Sequence, residues 1–178
     1  KAQEDEIKRL KKEGESCTVF CSALEIKLDA LEQQGRCNNI RILGVKESAE
    51  EIPEVVVMEV GEKLGVKLTP ADFDRCHRLG TSSPDANQRK KHRPLLVKFS
   101  SRRIRGLVMG ARSKLKGTDI FLNDDLTPAR QKLLYNVRHC PKVERSFSQE
   151  GRIFAGIKNT SGGFTKKLIT CDADIAKL

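Results

Sequence analysis

Asn39-Ile-Arg-Ile-Leu-Gly-Val45 sets Ile40 and Ile42 on one side of an extended chain and Arg41 and Leu43 on the other, then meets a glycine. Alternation at period two marks a strand with one buried face. Pro94-Leu-Leu-Val-Lys-Phe99 reads as a second clear strand. Between them, residues 52–64 place Val56, Val57, Val60 and Leu64 at helical spacing, with Pro53 in the first turn and Gly65 as the stop. Residues 72–79 alternate weakly and predict a strand, and the polar, basic stretch Gly80–His92 predicts a loop. Beyond Phe99, Ser101–Arg112 predicts a basic helix with Ile104, Leu107, Val108 and Ala111 as its apolar stripe, and Asp119–Leu122 a short strand.

The resulting order, β-α-β-β-α-β, is the ferredoxin-type split unit, the order used by RNA-recognition (RRM) domains. It occupies residues 36–123. Upstream, residues 1–35 carry a heptad register. Ile7, Gly14, Cys21 and Leu28 fall at position a, and Leu10, Cys17, Leu24 and Leu31 at d. A 3.5-residue apolar repeat predicts a self-associating coiled coil, with Ile7, Leu10, Cys17, Cys21, Leu24, Leu28 and Leu31 as seam residues. Gly14 is its soft spot, costing about 1 kcal/mol of helix propensity against Ala. Gly35 is expected to end the helix.

Downstream, residues 124–178 predict a small α/β domain. Thr127 and Pro128 open a helix with Leu133, Leu134 and Val137 as its stripe, and Pro141 ends it. Residues 142–147 and 152–158 predict a hairpin about Ser148–Gly151, and a Ser/Gly loop leads to a last segment holding Leu168 and Ile169. The fold class is therefore α+β: a coiled-coil helix, an RRM-like domain and a small α/β domain.

Charge is unevenly spread. Residues 80–117 hold 11 of the 34 Lys and Arg but one of the 24 Asp and Glu, so this stretch alone equals the chain's net charge of +10. A localised basic block suits a surface that displaces counterions from phosphates. Arg102, Arg103, Arg105 and Arg112 lie on or around the predicted basic helix. Arg102, Arg105 and Arg112, at spacings of three and seven, are expected to share a face. Arg89, Lys90 and Lys91 ride the preceding loop. Arg130, Arg138 and Arg152, with Lys132, Lys142, Arg145, Lys166 and Lys167, make the C-terminal region mildly basic, so that it and the RRM-like domain are expected to wall one cleft.

Other chemistries find little footing. The six cysteines form no C-x-x-C pair and match no zinc ribbon, so they read as reduced intracellular thiols and no metal or cofactor is expected. Asp124 and Asp125 are adjacent carboxylates but read as acids favoured by the start of the following helix. No Ser/His/Asp or Cys/His set suggests hydrolysis, so no enzyme is expected. No apolar run reaches about 18 residues, so no membrane-spanning helix is expected. The chain opens on Lys1 without Met and is expected to be a fragment.

Several segments then become familiar in order: the coiled coil, Asn38-Asn-Ile-Arg-Ile-Leu-Gly-Val45, Arg75-Cys-His-Arg-Leu-Gly80, Arg93-Pro-Leu-Leu-Val-Lys-Phe99, Ala111-Arg112, Asn123-Asp-Asp-Leu-Thr-Pro-Ala-Arg130 and Gly151-Arg-Ile-Phe154. This series resembles the first-reading-frame proteins of LINE-type non-LTR retrotransposons, especially the insect forms that share a C-terminal domain with the baculovirus FP protein. The resemblance implies a homotrimeric coiled coil that binds single-stranded RNA, and single-stranded DNA as an open second ligand. It implies coating and chaperoning of a transcript in a cytoplasmic ribonucleoprotein particle, with the nucleus as a second compartment. It marks Arg41, Arg75, His77, Arg78, Arg93, Lys98 and Arg112 as candidate RNA contacts. The seam itself does not choose between two strands and three.

An RRM usually stacks bases on aromatics of its first and third strands. These strands offer Arg41 and Pro94/Leu96 instead, with Phe99 the only aromatic in either. Binding led by phosphate contacts and of low sequence specificity is therefore expected. The second reading is a viral or host assembly factor whose basic surface meets acidic protein.

Overall fold

The structure, a computed structural model, describes residues 2–81, 92–159 and 162–178. The chain divides into two compact units, Lys1–Gly35 and Arg36–Leu178. It is mixed α+β, with one long N-terminal helix, two antiparallel sheets and several shorter helices.

The first unit is a single helix, α1 (Ala2–Gly35). It runs without a break through Gly14, whose carbonyl also accepts the Thr18 hydroxyl at 2.8 Å. Ile7, Leu10, Cys17, Cys21, Leu24, Leu28 and Leu31 are all exposed along it. Val19 and Ile26, also exposed, fall outside this seam.

The second unit opens with β1 (Asn39–Leu43), α2 (Pro53–Leu64), β2 (Phe73–Arg78), β3 (Leu95–Phe99), α3 (Arg102–Gly110) and β4 (Phe121–Asp124). The four strands form one sheet in the order β2-β3-β1-β4, antiparallel at each pairing. Ile40, Ile42, Leu95, Val97, Phe99 and Leu122 point to one side, where Val57, Val60 and Leu64 of α2 and Val108 of α3 meet them. Burying one such side chain contributes about 1.5–3 kcal/mol. Pro53 starts α2, and Gly65 ends it at a left-handed φ of 67°. Gly44, which follows β1, is a required glycine. Its φ is 79°, and a Cβ there would overlap the carbonyl of Asp119.

Two expectations shift. The last strand of this sheet begins at Phe121, not Asp119. Thr118 holds the preceding turn: its hydroxyl donates to Leu115 O at 2.8 Å and accepts Ile120 N–H at 3.3 Å. The basic helix gives way at Ala111 to a 3₁₀ turn, Ala111–Leu115. Leu107 of the predicted apolar stripe is exposed, while Arg105 is buried.

The chain continues with α4 (Pro128–Arg138), β5 (Arg145–Gln149), β6 (Arg152–Lys158), β7 (Phe164–Ile169) and α5 (Asp172–Ala176). Thr127 caps α4, its hydroxyl accepting Arg130 N–H at 3.3 Å. A two-residue turn, Glu150-Gly151, joins β5 to β6. Both φ values are positive, 52° and 77°, the turn geometry that matches strand twist in hairpins. The sheet order is β5-β6-β7, and Ile153, Ala155 and Ile169 pack on Leu126 and Val137 to form a second core.

Candidate nucleic-acid cleft

The face of the four-stranded sheet turned away from α2 and α3 carries the polar residues. Its register sets His77, Leu96, Arg41 and Asn123 in one row across all four strands. Arg75 and Lys98 pair beside that row, and Leu43 pairs with Phe121 on its other side. Against the β1–β4 half of this face lie α4 and the edge strand β5. They enclose a cleft of about 470 Å³. Arg41, Leu43 and Asn123 form its sheet wall, and Gln131, Leu134, Arg138 and Phe147 the opposite wall. Arg112, on the 3₁₀ turn after α3, also lines it. The structure thus brings together Arg41, Arg112 and Arg138, which the sequence separates by almost a hundred residues.

The floor of this arrangement is ionic. Arg41 donates from Nε to Asp125 Oδ1 at 2.6 Å, and Asn39 Nδ2 donates to Asp125 Oδ2 at 2.8 Å. Arg36 approaches the same carboxylate at 3.3 Å. Asp124 pairs with Arg105 and accepts the Gly151 N–H at 3.3 Å. The expectation of two acids favoured by a helix start is corrected. Thr127 does the capping, and both carboxylates are buried in ion pairs, Asp124 with Arg105 of α3 and Asp125 with Arg41 of β1, while the Gly151 N–H bond ties Asp124 to the C-terminal hairpin. A carboxylate removed from water persists in charged form only with such partners.

Arg105 is likewise corrected as a candidate RNA contact. It lies inward from α3 on Asp124, with its side chain 8% exposed. Arg102 and Arg103 are exposed on α3, Arg102 lying 3.8 Å from the Glu150 carboxylate, and neither lines the cleft. The expected shared face of Arg102, Arg105 and Arg112 does not form. The first is exposed, the second buried, and the third stands on a turn with a different pitch.

Arg78 is also turned inward and corrected as a contact. Its guanidinium meets Glu51 at 2.6 and 2.8 Å and donates to the carbonyls of Val45, Lys46 and Arg93 at 3.0, 2.8 and 2.6 Å. Arg93 pairs with Glu47 and donates to Gly80 O at 2.8 Å. These hydrogen bonds hold the Glu47 and Glu51 carboxyls below the ordinary glutamate value. His77 is half-buried, with Nδ1 enclosed and lacking a hydrogen-bond partner among the described residues. Lys98 pairs with Asp74 and stays exposed, as does Arg75. Arg130 is half-buried and donates to Gly151 O at 3.0 Å, whereas Arg152 is exposed at the start of β6. Arg89, Lys90 and Lys91 lie outside the described residues.

Sequence reasoning passed over Phe147, Asn123, Gln131 and Leu134 as cleft residues. Phe147 was findable in principle, because Arg145-Ser-Phe-Ser-Gln149 alternates and the two-residue turn fixes its phase. Three guanidinium groups beside amide and apolar side chains offer phosphate contacts and a shelf for a base. Among the described residues no group of three or more His, Cys, Asp or Glu could hold a metal, and no helix is long and apolar enough to cross a membrane. No family model matches this chain, and no curated protein matches it.

Proposed function

We propose that this chain is a self-associating protein that binds single-stranded nucleic acid, RNA foremost, without a catalytic step. Its role is to coat and chaperone a retrotransposon transcript in a ribonucleoprotein particle. The observation that carries the reading is the cleft in which Arg41, Arg112 and Arg138 converge. The β-α-β-β-α-β order with sheet order β2-β3-β1-β4 supports an RRM-like domain. The separate core under β5–β7 supports a small C-terminal domain of the FP type. The exposed seam of α1 supports a coiled coil, taken as a homotrimer from the resemblance. Three such clefts on one particle would raise avidity for a single long strand.

The test is a salt-dependent titration of the full chain with labelled single-stranded RNA, single-stranded DNA and duplex DNA. Each phosphate contact contributes about −0.7 to the log–log slope on single strands. Replacing Arg112 and Arg138 by Ala should shallow the slope by about 1.4 and weaken RNA binding. An unchanged slope overturns the cleft. A flat slope in the parent protein, with affinity no better than about 10⁻⁴ M, favours an assembly factor for acidic protein partners instead.

A further inference from the structure

The sheet β5-β6-β7 buries one face on α4, and its other face has an unusual composition. Register places Phe147, Phe154 and Leu168 in one row, Arg145, Gly156 and Lys166 in the next, and Lys158 with Phe164 in a third. Phe147 and Phe154 lie nearly parallel, centroids 5.6 Å apart and planes 23° apart. Lys166 Nζ sits 3.8 Å from the Phe154 ring centroid, and the Arg145 guanidinium lies 4.4 Å above Phe164. Arg145 and Phe164 belong to the two outer strands, so this contact passes over Gly156 of the middle strand. A Cβ at Gly156 would come within 3.2 Å of Arg145 Cβ.

Cross-strand aromatic pairs stabilise sheets on their own. That accounts for Phe147 against Phe154. It does not account for Phe164 and Leu168, which remain 43% and 48% exposed, nor for a bare glycine in a central strand. Glycine there weakens a strand and marks close approach by another group, here the Arg145 side chain on its way to Phe164. Residues 145–168 hold five cations, Arg145, Arg152, Lys158, Lys166 and Lys167, against one acid, Glu150. The fitting occupant is a polyanion with flat apolar faces.

We propose that this outer face is a second binding surface, on which bases of a single-stranded nucleic acid stack over Phe147, Phe154 and Phe164. Arg145 and Lys166 cover the rings in the free protein and pass to the phosphates when bases take their place. The inference rests on the nucleic-acid reading above but concerns a surface that meets the arginine cleft at Phe147 and extends beyond it over Phe154 and Phe164, and it supplies stacking that the four-stranded sheet lacks. Stacking on aromatics tolerates any base, so binding stays weakly selective.

The experiment compares a fluorescent single-stranded oligoribonucleotide with an abasic strand of equal length, both titrated onto the full chain. The parent protein should prefer the base-bearing strand by at least about fivefold. Phe154→Ala/Phe164→Ala should abolish that preference. Phe164→Ala alone, at an exposed position, should reduce it with an unchanged melting curve. Photocrosslinks from 5-iodouridine RNA should fall within residues 152–158 and 164–168, beyond the cleft wall at Phe147. Equal affinity for the abasic strand, a preference that survives both variants, crosslinks confined elsewhere, or competition by polyglutamate as effective as by RNA each overturns the proposal. The Arg112→Ala/Arg138→Ala protein separates the two surfaces. If its slope is unchanged while the phenylalanine variants lose the base preference, the cleft fails and the sheet face stands. If its slope is shallower while the phenylalanine variants keep the base preference, the sheet face fails and the cleft stands.

Discussion

Arg41 in the middle of β1 and Asp125 ahead of α4 are joined by a 2.6 Å hydrogen-bonded ion pair whose carboxylate is 2% exposed. One residue therefore serves two ends. Arg41 lines the cleft with part of its guanidinium and anchors the junction below it with the rest. Asp125→Ala would leave Arg41, Asn39 and Arg36 facing an emptied site and should destabilise the fold by about 3–5 kcal/mol. Arg41→Ala leaves Asp125 with its other donors and should cost less, about 1–3 kcal/mol. Urea unfolding of both variants checks the order. Equal losses would show that the carboxylate is not the hub.

Arg78 and Glu51 give a second prediction. Arg78 spends its donors on one carboxylate and three carbonyls, a fan that an ammonium group cannot reproduce. Arg78→Lys should destabilise by about 2–5 kcal/mol while the RNA salt slope stays as it was. A lowered slope without loss of stability would return Arg78 to the binding surface.

Acid should probe the same latch. Glu47 and Glu51 are held below the ordinary value of 4.5, chiefly by hydrogen bonds from Arg93 and Arg78 respectively. A folded pKa below the unfolded one stabilises the fold at pH values above 4.5. That contribution is lost as pH falls through the folded values. The urea midpoint should thus drop on acidification below about pH 4.5, and Glu51→Gln should flatten part of the drop. An equally steep profile in Glu51→Gln would place the acid sensitivity elsewhere.

The strands and helices were legible because local rules set them. Pro53 and Gly65 bound α2, Thr127 caps α4, and alternation about Arg41 fixes which face of β1 is buried. The roles of the arginines were not. Arg78, Arg105 and Arg112 look alike in the sequence, and what separates them is a carboxylate or carbonyl supplied by a distant segment. Asp124 and Glu51 take Arg105 and Arg78 out of solvent, and among the described residues no such bond draws Arg112 inward. The aromatic face escaped for a related reason. Phe147, Phe154 and Phe164 are seven and ten residues apart, and only strand register makes them neighbours.

Cysteine reactivity offers a chemical readout. Burial, reinforced by the Glu54 charge, pushes the Cys76 thiol up to about 12. Cys17, Cys21 and Cys171 are exposed. Since the thiolate is the nucleophile, iodoacetamide at pH 8 should spare Cys76 and label those three in dilute protein. Mass mapping that finds Cys76 labelled as fast as Cys171 would mean the four-stranded sheet opens readily.

The same reagent reports on α1. If Cys17 and Cys21 sit in a seam, their labelling should slow as protein concentration rises, while Cys171 keeps its rate. Gly14 sharpens the test. It lies inside α1 at a seam position, and a Cβ there meets nothing within 4 Å. Gly14→Ala should stabilise each helix by about 1 kcal/mol, tighten the assembly and shift protection of Cys17 and Cys21 to lower concentration. Leu24→Asp places a charge at a d position and should leave both thiols reactive throughout. Mass measurement in solution would follow the same order, Gly14→Ala the most associated and Leu24→Asp monomeric. A monomer at high concentration in the parent protein would mean that α1 meets a different partner, and the avidity argued from three joined clefts would fall with it.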